Sequence, residues 1–111
     1  MTDRITKVNE LIRNELSKIV LREVDFEDQM LVTIVSVETS RTLEHATVYV
    51  SVIPDNRSTR ALGLLRKHVY GIQQELNNRL SMRTVPKIRF VLAGDASTGE
   101  HIEKLIEEVV E

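Results

Sequence analysis

Cysteine and tryptophan are absent from this chain, and aromatic side chains are scarce, two Phe and two Tyr. Without cysteine there is no disulfide framework, no thiolate metal site and no cysteine nucleophile, and the composition fits a cytoplasmic protein. Two prolines and four glycines in 111 residues leave no collagen-like or low-complexity bias, so a single packed domain spanning 1–111 is expected. No apolar run approaches the ~18 residues that a membrane span needs. The first residues carry charges within a helical pattern, unlike the apolar block of a secretory signal. A Gly-x-Ser-x-Gly elbow, a Walker loop and a Gly-x-Gly-x-x-Gly are all missing. His45, His68 and His101 have no partner at metal-ligand spacing. The expectation is a protein that is not an enzyme and uses no cofactor, metal or small-molecule substrate.

What the chain does have is an uneven distribution of charge. Residues 55 to 89 hold eight of the fifteen Lys and Arg against two acids, a local net of +6, between −3 over residues 1 to 53 and −5 over 95 to 111. A basic block between acidic ones presents a positive face to a polyanion while the molecule as a whole stays near neutral, which points to nucleic acid.

Hydrophobic periodicity supplies the elements. Ile5, Val8, Ile12, Leu16 and Ile19 recur at helical spacing and predict a helix from about 3 to 22. The segments near 30 to 38 and 45 to 53 are β-branched and alternating, and the polar turn from Thr39 to Glu44 joins them as a hairpin. In the first strand, Leu31, Thr33, Val35 and Val37 are expected on one face. Leu62, Leu65, Val69, Ile72, Leu76 and Leu80 then keep one stripe in phase, so periodicity alone favours one long helix, capped by Asp55 or Ser58. Ile88, Phe90 and Leu92 alternate with Lys87, Arg89 and Val91 in a third strand, near 87 to 92. Ser97 with Glu100 reads as a capping box for a last, acidic helix. The class is α+β, a three-stranded sheet with helices packed on one face.

On a helical wheel, the line opposite the long apolar stripe reads Arg60, Gly63, Lys67, Gly71, Gln74, Asn78. Cations and amides on such a line suit phosphates and base edges, and glycines allow a nucleic-acid backbone to approach. A solvated helix face with tolerated glycines is the plainer alternative, and the surrounding positive charge tips the balance toward binding.

The segment from Glu38 to Val52, with Ser40-Arg41-Thr42-Leu43 leading into Ala46-Thr47-Val48-Tyr49-Val50-Ser51, resembles the hairpin of the ribosome-binding factor A family. Leu80 to Phe90, with Val85-Pro86 ahead of the third strand, is similar to that family's basic linker. Arg4-Ile5, the run from Leu11 to Leu16 and the ending from Gly99 to Ile106 also fit. The resemblance implies a type II KH-like fold, helix-strand-strand-helix-kink-helix-strand-helix, and a monomer that binds 16S rRNA in immature or free 30S subunits. It further implies action late in small-subunit maturation near the central pseudoknot and neck, support of rRNA processing, and importance in the cold. RNA contacts are then expected from Arg60, Arg66, Lys67, His68, Gln74, Asn78, Arg79, Arg83 and Lys87.

Two positions depart from the family pattern. Asp25-Phe26-Glu27 stands where an acidic-Pro-Arg step is usual. His68-Val69-Tyr70, with Gly71 one residue later, replaces the Ala-x-Gly kink, so the expected kink comprises these four residues and bends near Tyr70 and Gly71. No Gly-x-x-Gly exists to clamp a single strand. From another functional class, the alternative is a noncatalytic adaptor that binds a basic protein through its acidic last helix.

Overall fold

Ile12, Leu16 and Ile19, fully buried, and Val20, nearly so, form the inner stripe of a helix, α1, that runs Asp3–Glu23 and lies across the sheet. The computed structural model describes residues 3–26 and 29–93. Within these, strands β1 (Leu31–Thr39), β2 (His45–Ile53) and β3 (Lys87–Leu92) form one sheet in the order β1-β2-β3. Helices α2 (Ser58–Lys67) and α3 (Val69–Arg79) supply the crossover between β2 and β3, which the parallel pairing of those strands requires. The order helix-strand-strand-helix-break-helix-strand is that of the type II KH-like fold. The expected last helix lies outside the described residues.

One hydrophobic cluster joins the inner stripes of α1, α2 (Leu65) and α3 (Ile72, Leu76) to Ala46, Val48 and Val50 of β2 and Ile88 and Phe90 of β3. All three helices therefore cover one sheet face, and the other face carries Thr47, Tyr49 and Ser51 with Lys87 and Arg89.

The first strand departs from simple alternation. Val32 and Ile34 lie opposite Val52 and Val50, but Ser36 lies opposite Tyr49 and Val37 opposite Val48, with a register shift between Ile34 and Ser36. Val35 is the extra residue of a β-bulge, 45% exposed. The bulge changes the phase of the strand by one, so Ile34 and Val37 are both buried although three positions separate them. Leu31, Thr33, Val35 and Val37 thus do not share a face, as strict alternation would have it, because one added residue exchanges the two faces.

The hairpin turn is held by Ser40, whose Oγ accepts the backbone N–H groups of Glu44 and His45, both at 3.1 Å. Leu43 closes it in the left-handed region at φ 63°, a conformation that costs a non-glycine residue of order 1 kcal/mol. The entry to α2 also differs from expectation. Neither Asp55 nor Ser58 caps through its side chain; a 3₁₀ turn, Asp55–Arg57, leads directly into the helix, with Ser58 N–H bonded to Asp55 O.

Candidate nucleic-acid interface

Between Ser58 and Arg79 the chain carries one acid, Glu75, against Arg60, Arg66, Lys67 and Arg79. The fold pairs that acid at the α1 side of the helix layer: Glu75 Oε2 lies 3.1 Å from Arg22 of α1 and 3.3 Å from Arg79. Arg60, Gly63, Lys67, Gly71, Gln74 and Asn78 are all exposed. The outer surface of α2 and α3 is therefore polar, cationic and without a carboxylate of its own.

The remaining sequence-derived candidates divide into different environments. Arg79 bridges Glu75 and Glu15, the latter at 3.1 Å, and so ties α3 to α1. Its guanidinium is already supplied with two carboxylates. Arg66 reaches back to the sheet, donating from Nη2 to the Phe90 carbonyl at 3.4 Å. His68 is half-buried, its Nδ1 lying 3.2 Å from the Leu64 carbonyl. Arg83 is exposed in the linker before β3. Lys87 projects on the sheet face away from the described helices, beside His45 across the strand pair and two residues before Arg89. Lys67, Arg83, Lys87 and Arg89 make no ion pair with a described residue. The linear basic block is thus spread over two surfaces, the outside of the helix layer and the far side of the sheet.

One position that the sequence reading passed over, Gln73, holds the site in place. Gln73 Oε1 accepts the Ile88 N–H at 2.9 Å, while Nε2 donates to the Pro86 carbonyl and to Asn77 Oδ1, each at 3.1 Å. With Arg66, it satisfies the outer edge of β3, an edge that would otherwise present unpaired backbone groups. Nothing in the periodicity marks Gln73, since a flank position on a helix reads as ordinary surface. Arg89 was legible, because alternation in β3 puts it on the same face as Lys87. Between the helix layer and this edge lies a cleft of about 330 Å³ lined by Arg66, Val69, Ile88, Arg89, Phe90 and Val91.

On the sheet face away from α1, α2 and α3, Tyr49 is 4% exposed and donates its hydroxyl to Glu38 Oε1 at 3.1 Å. Burial first, then the Glu38 charge and this hydrogen bond, push its pKa up to about 12, with Arg89 pulling the other way. The folded state holds the proton more tightly than the unfolded chain, whose tyrosine titrates near 10. The associated stability is complete below pH ~10 and is lost as pH rises through ~12. Alkaline denaturation of wild type and Tyr49→Phe should therefore diverge across that window, with wild type losing stability faster as pH rises; parallel curves would contradict the assignment.

The helical segment breaks at a single residue. His68 has φ −100° and ψ 9°, out of the helical well, while Val69, Tyr70 and Gly71 already belong to α3. The break thus stands at the start of the expected span and not near Tyr70 and Gly71. The Ile72 N–H still bonds the His68 carbonyl at 3.0 Å, so one residue bends the path while the apolar stripe stays in phase. No described glycine has positive φ, and a Cβ placed on Gly71 would meet only Glu23 Oε1 at 3.7 Å, an ordinary contact. Gly71→Ala should accordingly raise stability by about 0.5–1 kcal/mol through its higher helix propensity, measurable as a higher Tm; a lower Tm would show that the glycine is needed at the bend.

Residues 4–106 match the family model described as Ribosome-binding factor A. Ribosome-binding factor A from Natranaerobius thermophilus is 34% identical over 107 residues, covering 96% of this chain and 82% of that protein. The Vibrio campbellii protein is 34% identical over 109 residues, with 96% and 81% covered. Among solved structures, the crystal structure of ribosome-binding factor A from Thermus thermophilus superposes with a TM-score of 0.67 at 19% identity, covering 79% of this chain and 93% of that one. A homology model of the Thermus thermophilus factor, fitted into a cryo-EM map of a 30S complex, gives 0.54 at 21% identity, with 73% and 90% covered. The described fold agrees with these structures, and sequence similarity runs from the first helix beyond the third strand: the chain belongs to the ribosome-binding factor A family.

Proposed function

We propose that this protein is a noncatalytic assembly factor of the small ribosomal subunit that docks on 16S rRNA through the outer surface of α2 and α3. The observation that carries this reading is the carboxylate-free line of Arg60, Lys67, Gln74 and Asn78, all exposed and interspersed with the exposed Gly63 and Gly71. Phosphates suit Arg60, Lys67 and Arg83; sugars and base edges suit Gln74 and Asn78. The 30S complex of the Thermus thermophilus relative supports the same partner here. The protein acts in the cytoplasm as a monomer, late in maturation, at the neck near the central pseudoknot, where it assists rRNA processing and matters most in the cold.

Mechanically, one rigid body is enough. A protein that binds one arrangement of late-folding RNA better than another shifts the population by its difference in affinity, with no reaction of its own. The test is salt dependence. The factor should leave a lysate with small-subunit particles and be released at high salt, with a log–log slope of roughly −3 to −5 on purified RNA for four to six neutralised phosphates. A flat slope, or copurification with a protein free of RNA, would overturn the reading.

A further inference from the structure

Of the four aromatic residues, Phe90 is 2% and Tyr49 4% exposed, and Phe26 packs against the core. Tyr70 is 75% exposed. A lone exposed apolar ring needs no explanation in itself, and its surroundings are what give it meaning. It stands in the first turn of α3, three residues after Lys67 and two after the break at His68. Gln74 and Asn77 follow at i+4 and i+7, on the same side of the helix and both exposed. Gln73 already holds Asn77 Oδ1 at 3.1 Å, which leaves the Asn77 amide nitrogen directed elsewhere. Gly71, exposed and lacking a side chain, stands beside the ring, with Glu23 Oε1 of α1 3.7 Å from where its Cβ would lie. The single carboxylate of α2 and α3 is turned away toward Arg22 and Arg79.

Resting on the RNA-binding reading above, we propose that Tyr70 is a stacking platform for an unpaired base of the bound RNA, with Gln74 and Asn77 hydrogen-bonding that base's edge. An aromatic face accepts any base, and amide side chains one and two turns along lie where a stacked base presents its edges. This selects bulged or looped RNA over continuous duplex, a preference that Lys and Arg contacts to phosphate do not provide.

The test compares wild type, Tyr70→Leu and Tyr70→Phe on a hairpin RNA with an open loop and on a continuous RNA duplex, at one salt concentration. Tyr70→Leu should lose roughly 5- to 100-fold in affinity for the loop RNA and nothing on the duplex. Tyr70→Phe should bind like wild type, since stacking uses the ring and not the hydroxyl. All three should melt alike, because the side chain is on the surface. With no tryptophan in the chain, Tyr49→Phe makes Tyr70 the sole strong fluorophore, and loop RNA should quench it. Equal losses on both RNAs, no loss on the loop, or a Tyr70→Phe variant as weak as Tyr70→Leu would each overturn the proposal while leaving RNA binding intact. A defect seen only on whole subunits and never on isolated RNA would make Tyr70 a protein contact instead. Failure of the wild type to bind either RNA would remove the RNA-binding reading along with it.

Discussion

Replacing Gln73 by leucine is expected to lower stability by about 2–4 kcal/mol, because the leucine leaves the Ile88 N–H and the Pro86 carbonyl, both at a part-buried site, without partners. A polar surface residue would ordinarily cost less than about 0.5 kcal/mol, so the size of the effect separates the two views of this position. The loss falls on β3. That strand pairs with β2 on one side and meets α2 and α3 on the other, and it carries Lys87 and Arg89. Hydrogen exchange should accordingly quicken first at Ile88 and its neighbours, ahead of β1. Gln73→Glu is a useful companion, since its carboxylate can still accept from Ile88 N–H but cannot donate to the Pro86 carbonyl; its cost should be intermediate. Denaturant midpoints of the three proteins measure the series, and a Gln73→Leu variant as stable as wild type would show that the edge of β3 is satisfied another way.

The second large effect is on binding. Lys67→Glu combined with Asn78→Glu places two carboxylates on the outer surface of the helix layer, and affinity for small subunits should fall at least about tenfold at moderate salt. One cation is lost, so the salt slope should shrink by roughly one. Both side chains are exposed, and Tm should barely move. The control reverses the other surface: Lys87→Glu with Arg89→Glu alters the sheet face that α1, α2 and α3 leave on the far side. If the helix layer is the docking surface, that pair weakens binding less than the first. The reverse ranking would move the interface to the sheet. Arg79→Gln discriminates in a third way, because its guanidinium is spent on Glu15 and Glu75; it should affect the attachment of α3 to α1 and leave the salt slope unchanged.

Much of the candidate site was legible before the structure. The line of Arg60, Gly63, Lys67, Gly71, Gln74 and Asn78 is exposed as the wheel requires, because Leu65, Ile72 and Leu76 are buried at the matching phase. Arg79 and Arg66 have partners within the fold that the sequence could not show, for a shared reason. Charge counted along the chain says nothing of what lies across from it, and Glu15 is 64 residues from Arg79, while Phe90 is 24 from Arg66.

By itself the sequence determined the kinds and order of the described helices and strands, their limits to within about a residue for α1 and the three strands, and most of the apolar set of the core, because hydrophobic period is a local property that burial rewards in any partner. It determined the sign and concentration of charge as well. Only the tertiary structure decided the phase of β1, since a bulge at Val35 is visible solely against the register of β2. It alone decided where the helical segment breaks, for at His68 one residue leaves the helical well while the stripe on either side keeps its phase. The division of the basic block was also settled there. Helices and strands adjacent in the chain face opposite ways once packed, so Lys67 and Lys87, twenty residues apart in one cationic run, come to lie on different surfaces.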